Sequence, residues 1–155
     1  MCGFSGFLGG YARGVAYLDA MSGALHHRGP DDAGLWCDSE ADVALSFRRL
    51  AILDLSAAGH QPMLSASGRY VLVFNGEIYN HLELRARMQQ QGSSPGWRGH
   101  SDTETLLAGF EAWGIEPTIS QAVGMFGFAL WDRETRTLTL GRDRLGEKPL
   151  YYGWQ

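Results

Sequence analysis

The run Tyr70-Val71-Leu72-Val73-Phe74 constrains the fold of this chain more than any other segment. Its β-branched and aromatic side chains predict a strongly buried strand, and it leads straight into Asn75-Gly76, a dipeptide that usually marks a turn. Further strand candidates exist. Residues 3–8 are short, apolar and punctuated by glycine, and residues 43–55 form an extended apolar stretch with Arg48 and Arg49 in its middle. Residues 126–131 and 137–141 flank a polar turn and read as a hairpin, and residues 150–153 begin another strand. Helical spacing occupies residues 15–25 and 82–88. Ser101-Asp102-Thr103-Glu104 is a capping box, so a helix is expected over residues 102–113, stopped by Gly114. Residues 27–32 read as a polar turn and residues 91–99 as a loop. The order is strands, helix, strands, two helices, strands. Such segregated runs predict an α+β fold of antiparallel sheets with helices packed outside, not a doubly wound βαβα fold. A length of 155 residues suits one domain.

Composition removes several classes of function. Hydrophobic residues make up 45% and charged residues 19%, as in an ordinary globular protein. The formal net charge is −4 and no basic run exceeds two residues, so nucleic acid is not an expected partner. No apolar stretch approaches the roughly 18 residues of a membrane span, and no secretory signal is visible. Cys2 and Cys37 belong to no CxxC pair, which argues against a disulfide framework and a cysteine-based zinc site. Two lone thiols fit the reducing cytoplasm as the default compartment. The five histidines show no metal spacing, so no metal site is expected.

Cys2 is the first residue that could carry chemistry. Elsewhere a single cysteine reads as a small apolar side chain. Here its position matters, because an initiator methionine is normally removed when a small residue follows. Cys2 would then carry a thiol and a free α-amine together. These groups ordinarily titrate at about 8.5 and about 7.7–8.0, so each is partly deprotonated near neutrality. The amine, directly or through a water, can take the thiol proton, as in other N-terminal nucleophiles. If Met1 stays, that amine is an amide and the base is gone. Asn75-Gly76 is either a hairpin turn or an oxyanion hole built from a side-chain amide and a glycine N–H, with Glu77 next in line. Of Arg48 and Arg49, at most one should enter a given pocket, because adjacent strand residues point to opposite faces. That arginine either grips a substrate carboxylate or pairs with a structural acid. Asp102 is either a favourable acid in a first helical turn or a partner for a ligand ammonium. His26, His27 and His60 read as turn or packing residues, and Cys37 as inert. Together the candidates fit the hydrolysis of an amino-acid side-chain amide.

The segments MCGFSGF, HHRGPDDAG, RRLAILDLSAAGHQPM, FNGEIYNHLELR, SDTETLL, MFGFALWD and GRDRLGEKPLYYG run in order from Met1 nearly to Gln155. In them the chain resembles the class II glutamine amidotransferases, specifically the N-terminal domain of the asparagine synthetase family. The resemblance implies a four-layer αββα sandwich of two antiparallel sheets, the N-terminal-nucleophile hydrolase fold. It implies a glutamine amidotransferase type 2 domain over residues 1–155, partial at its C-terminus, with the synthetase domain absent. It implies that Cys2 attacks the amide of L-glutamine to give a thioester and ammonia. Arg49, not Arg48, would hold the substrate carboxylate, with Leu50, Ala51, Ile52 and Leu53 lining the same pocket. Asn75 and Gly76 would form the oxyanion hole, and Glu77 and Asp102 would hold the substrate's amino end. No cofactor is implied for this domain; ATP and Mg belong to the synthetase domain. A homodimer of the parent enzyme is compatible with the resemblance. The alternatives are the same domain serving amidation of a sugar acid or other carboxylate, and a truncated, non-catalytic binding fragment.

Overall fold

The computed structural model describes residues 1–52 and 56–154; the side chains of residues 11–16 lie outside that description. In one antiparallel sheet, β1 (Gly3–Leu8) and β2 (Asp32–Asp38) flank β3 (Val43–Arg49). The second antiparallel sheet has the order β4 (Met63–Leu64), β5 (Tyr70–Ile78), β6 (Gly124–Asp132) and β7 (Thr137–Arg142). The helices are α1 (Tyr11–Ala24), α2 (His81–Gln90), α3 (Asp102–Trp113) and α4 (Ile115–Gln121). None of the described helices is long and apolar enough to cross a membrane.

Side-chain alternation along the strands produces the layers. Val43, Leu45 and Phe47 of β3 meet Val71 and Val73 of β5 and Ala129 and Trp131 of β6, forming a core between the sheets. On the opposite face of β5, Leu72, Phe74 and Ile78 pack with Leu84 of α2 and with Leu106, Leu107 and Phe110 of α3. The outer face of β3 meets α1, where Arg48 Nε donates to both the carbonyl and the hydroxyl of Ser22, each at 3.1 Å. The layers are therefore α1, first sheet, second sheet, and α2 with α3, which is the αββα sandwich. Because β5 is covered on both faces, its sequence is an unbroken apolar run rather than an alternating one.

Several sequence expectations change. Asn75-Gly76 is no hairpin turn. β5 continues through it to Ile78, because β6 supplies a partner at every step, with Asn75 opposite Gly127 and Gly76 opposite Phe126. Gly76 is required for a different reason: a Cβ there would collide with the Met125 carbonyl oxygen and with Phe126. Residues 150–153 form no strand; they pair with nothing among the described residues, and Tyr151 and Tyr152 are exposed. β3 ends at Arg49, short of the extended stretch expected to residue 55. β2 had no alternating pattern to reveal it, and α4 follows immediately where Gly114 was expected only to end α3. The capping box is half formed. Ser101 Oγ accepts from the Glu104 N–H at 3.2 Å, but the Glu104 carboxylate turns to the N–H groups of Arg98 and Gly99 and to Arg85.

Candidate active site

Cys2 stands just before β1, and the register that sets Gly3 opposite Arg48 carries it to the end of β3. The Leu50 N–H donates to Cys2 Sγ at 3.3 Å, and Sγ lies 3.6 Å from the Leu50 carbonyl oxygen. Arg28 Nε donates to the Cys2 carbonyl at 3.0 Å. The thiol is half-buried, while Cys37 is exposed. The two arginines separate as adjacent strand residues must: Arg48 turns to α1, and Arg49 turns the other way, 9% exposed, with Nη1 donating to the Ser56 carbonyl at 2.9 Å. Gly59 makes room for it, since a Cβ there would strike the Arg49 guanidinium.

The opposing wall is β5. Beyond the end of β4, the backbone of Phe74 is held by a side chain instead of a strand. Gln61 Oε1 accepts from the Phe74 N–H at 2.7 Å, and Gln61 Nε2 donates to the Phe74 carbonyl and to Thr103 Oγ1, each at 3.4 Å. Four residues on, the Ile78 N–H donates to Asp102 Oδ2 at 2.8 Å, tying β5 to the start of α3; Asp102 Oδ1 accepts from the Thr103 N–H at 2.8 Å. Burial raises the Asp102 pKa, and these two backbone hydrogen bonds oppose the rise. Between these braces lie Asn75, Gly76 and Glu77.

Cys2, Arg49, Leu50, Ile52, Asn75, Gly76, Glu77 and Asp102 all line one cavity of about 120 Å³. Ala51 does not line it; its N–H is taken by Asp31 Oδ2 at 2.9 Å, which makes it a tether for the wall. Leu53 lies outside the described residues. The same cavity also exposes Gln61, Thr103, Lys148 and the Met1 side chain, none of which the sequence reading had singled out as site residues. Lys148 was visible as the only lysine in the chain, and Gln61 as one of two polar residues in Gly59-His60-Gln61-Pro62. A larger cavity of about 260 Å³ borders α3 and residues 95–98, but its carboxylates Glu104 and Glu111 are engaged with neighbouring backbone and serine groups, and no thiol is present. Among the described residues, no group of three or more His, Cys, Asp or Glu gathers as metal ligands would.

A thiol on the second residue, opening into a cavity at the seam of two antiparallel sheets with helices on both outer faces, defines an N-terminal-nucleophile hydrolase sandwich. Residues 1–155 match the glutamine amidotransferase domain family. The chain belongs to that family. It is 42% identical, over 97% of its length and 25% of the relative's, to a Mycobacterium tuberculosis protein provisionally named asparagine synthetase (glutamine-hydrolyzing). It is 38% identical to asparagine synthetase (glutamine-hydrolyzing) 1 of Bacillus subtilis, over 98% of this chain and 24% of that one. A Gibberella zeae protein named amidase chry2 is 35% identical over the same shares, 98% and 24%. The chain thus spans about a quarter of the length of these curated relatives.

Proposed function

We propose that this domain hydrolyses the side-chain amide of L-glutamine through Cys2 and supplies ammonia to an ATP-dependent amidating domain of its parent enzyme. One observation carries the reading: the Cys2 thiol, the Asn75-Gly76 segment, a buried arginine and a buried carboxylate share a single cavity. Arg49 takes the substrate's α-carboxylate, while Glu77 and Asp102 take its ammonium. The Cys2 amine accepts the thiol proton, and the sulfur attacks the amide carbon. The carbonyl electron pair moves to oxygen, where the Asn75 side-chain amide and the Gly76 N–H receive the charge. The oxyanion then collapses, the carbon–nitrogen bond breaks, and the proton held by the amine goes to the leaving nitrogen, giving ammonia and a glutamyl thioester. The amine next takes a proton from water, and the resulting attack releases glutamate and restores the thiol.

Acceptor choice lies with the rest of the parent. The relatives' names include asparagine synthetases, which makes aspartate one candidate; a sugar acid or other carboxylate is the alternative. A second reading has its own support. Met1 lines the cavity, and a chain that keeps it has an amide where the base should be, so that form would bind without turnover.

The test is glutamate release by the complete parent protein, with intact mass recorded to establish whether Met1 is gone. Processed parent should release glutamate, and Cys2→Ala should abolish release. Equal rates in the two proteins would remove Cys2 as the nucleophile.

A further inference from the structure

Lys148 is the single lysine of the chain, set among twelve arginines. It is only 5% exposed and lines the Cys2 cavity. A buried ammonium is costly unless another group answers its charge. Here Nζ lies 3.0 Å from the Met1 thioether sulfur, an uncharged and weak acceptor. No carboxylate among the described residues lies within ion-pair distance of it.

The position is structurally determined. The buried Asp143 carboxylate accepts from the N–H groups of Leu145, Glu147 and Lys148, and from that of Phe126 in β6. One side chain therefore fixes residues 143–148 against the start of β6. Phe126 and Gly127 are the ladder partners of Gly76 and Asn75. The lysine is thus anchored to the strand pair that carries the Asn-Gly segment, while its tip reaches across to the residue preceding Cys2. Among the described residues, the other charged side chains around this cavity are Arg49, Glu77 and Asp102. Asp102 already accepts two backbone N–H groups, and Arg49 donates to Ser56.

Removal of Met1 takes away the sulfur and leaves the Lys148 ammonium facing the space beside the new amino terminus. We propose that in the processed chain Lys148 belongs to the reaction site, where its ammonium answers the negative charge that forms as the Cys2 sulfur attacks the amide. The proposal rests on the glutaminase reading above. A cation beside the sulfur favours the reactive thiolate, and beside the carbonyl oxygen it supplements the Asn75 and Gly76 donors. Lys148 transfers no proton in this scheme. The thiol proton goes to the Cys2 amine and from there to the leaving ammonia.

The test uses the full-length parent with Met1 removal confirmed by mass, as wild type, Lys148→Met and Lys148→Arg. Two rates are measured: glutamate release, resolved into kcat and KM, and alkylation of Cys2 by iodoacetamide at pH 7 without glutamine, followed on the N-terminal peptide. The methionine variant keeps the side-chain length without the charge. It should lower kcat by about tenfold or more with little change in KM, and slow alkylation several-fold, at an unaltered unfolding temperature. The arginine variant should recover most of both. Wild-type rates in Lys148→Met would overturn the proposal, and so would losses that arginine does not restore, since the side chain would then act only as a spacer. If wild-type parent releases no glutamate, the glutaminase reading fails on its own, and the alkylation rates still decide whether Lys148 acts on Cys2.

Discussion

One wall of the cavity is the end of the first sheet, where Leu50 and Ile52 follow the last residue of β3; the other is the interior of β5, where Asn75 and Gly76 sit within a continuous ladder to β6. On the first wall, Ile52 is 70% exposed and Cys2 is half-buried. On the second, Asn75 is 7% exposed and is bracketed by Gln61 on Phe74 and Asp102 on Ile78. The difference fits the roles proposed above for each side. Donors that receive a developing charge are most effective when already in place, because no reorganisation is then needed at the moment of reaction. A nucleophile must instead approach, attack and release; the proposed one is held by the Leu50 N–H on its sulfur and Arg28 on its carbonyl, beside an Ala51 tied to Asp31.

The contrast is broken most severely by removing a donor from the rigid wall. Asn75→Ala in the parent enzyme should lower kcat by about 10²–10³-fold while KM changes little, as expected for an oxyanion donor. A rise in KM at constant kcat would instead make Asn75 a ground-state binding residue. A milder change loosens the wall without touching its donors. Gln61→Leu keeps the approximate shape but leaves the Phe74 N–H without its acceptor, a loss of about 1–3 kcal/mol that denaturant unfolding can measure. Glutamate release should fall with it, and more in kcat than in KM, because Asn75 is the next residue along. The smallest effect should come from the far end of β5. There Arg69 forms two hydrogen bonds with Asp132, at 3.0 and 2.6 Å. The Arg69 hydrogen bond is the main reason the Asp132 pKa is lowered from 3.8 to about 2. A depressed carboxylate stabilises the fold above its ordinary pKa, and that contribution is lost as pH falls through the folded value. Arg69→Gln should therefore lower Tm at pH 7, the gap to wild type should close between about pH 4 and pH 2, and glutamate release should stay unchanged.

Local patterns made much of this fold legible. The apolar run at residues 70–74, the Ser101 cap, the stop at Gly114 and the hairpin on either side of residues 132–136 each rest on nearest neighbours, which a sequence displays directly. Asn75-Gly76 misled as a turn because its conformation is set by β6, some 50 residues away, and the pairing outweighs the local preference of the dipeptide. β2 was missed for a related reason: its residues, Asp-Ala-Gly-Leu-Trp-Cys-Asp, alternate weakly, and only the register against β3 makes them a strand. For the site, the opposite facing of Arg48 and Arg49 followed from strand geometry, whereas the choice of Arg49 came from the family resemblance. Gln61 and Lys148 were not legible as site residues. One acts on the backbone of a strand 13 residues away, and the other reaches the first residue from the 148th.

The central claim is that Cys2, once Met1 has been removed, is the nucleophile acting in this cavity. It is tested most directly by treating the complete parent with a glutamine analogue that bears an electrophilic ketone in place of the amide, then mapping the adduct by peptide mass. The account predicts one adduct, on an N-terminal peptide that begins at Cys2, with labelling suppressed by excess glutamine. An unlabelled Cys2 in processed protein, or an adduct on Cys37 instead, would contradict it.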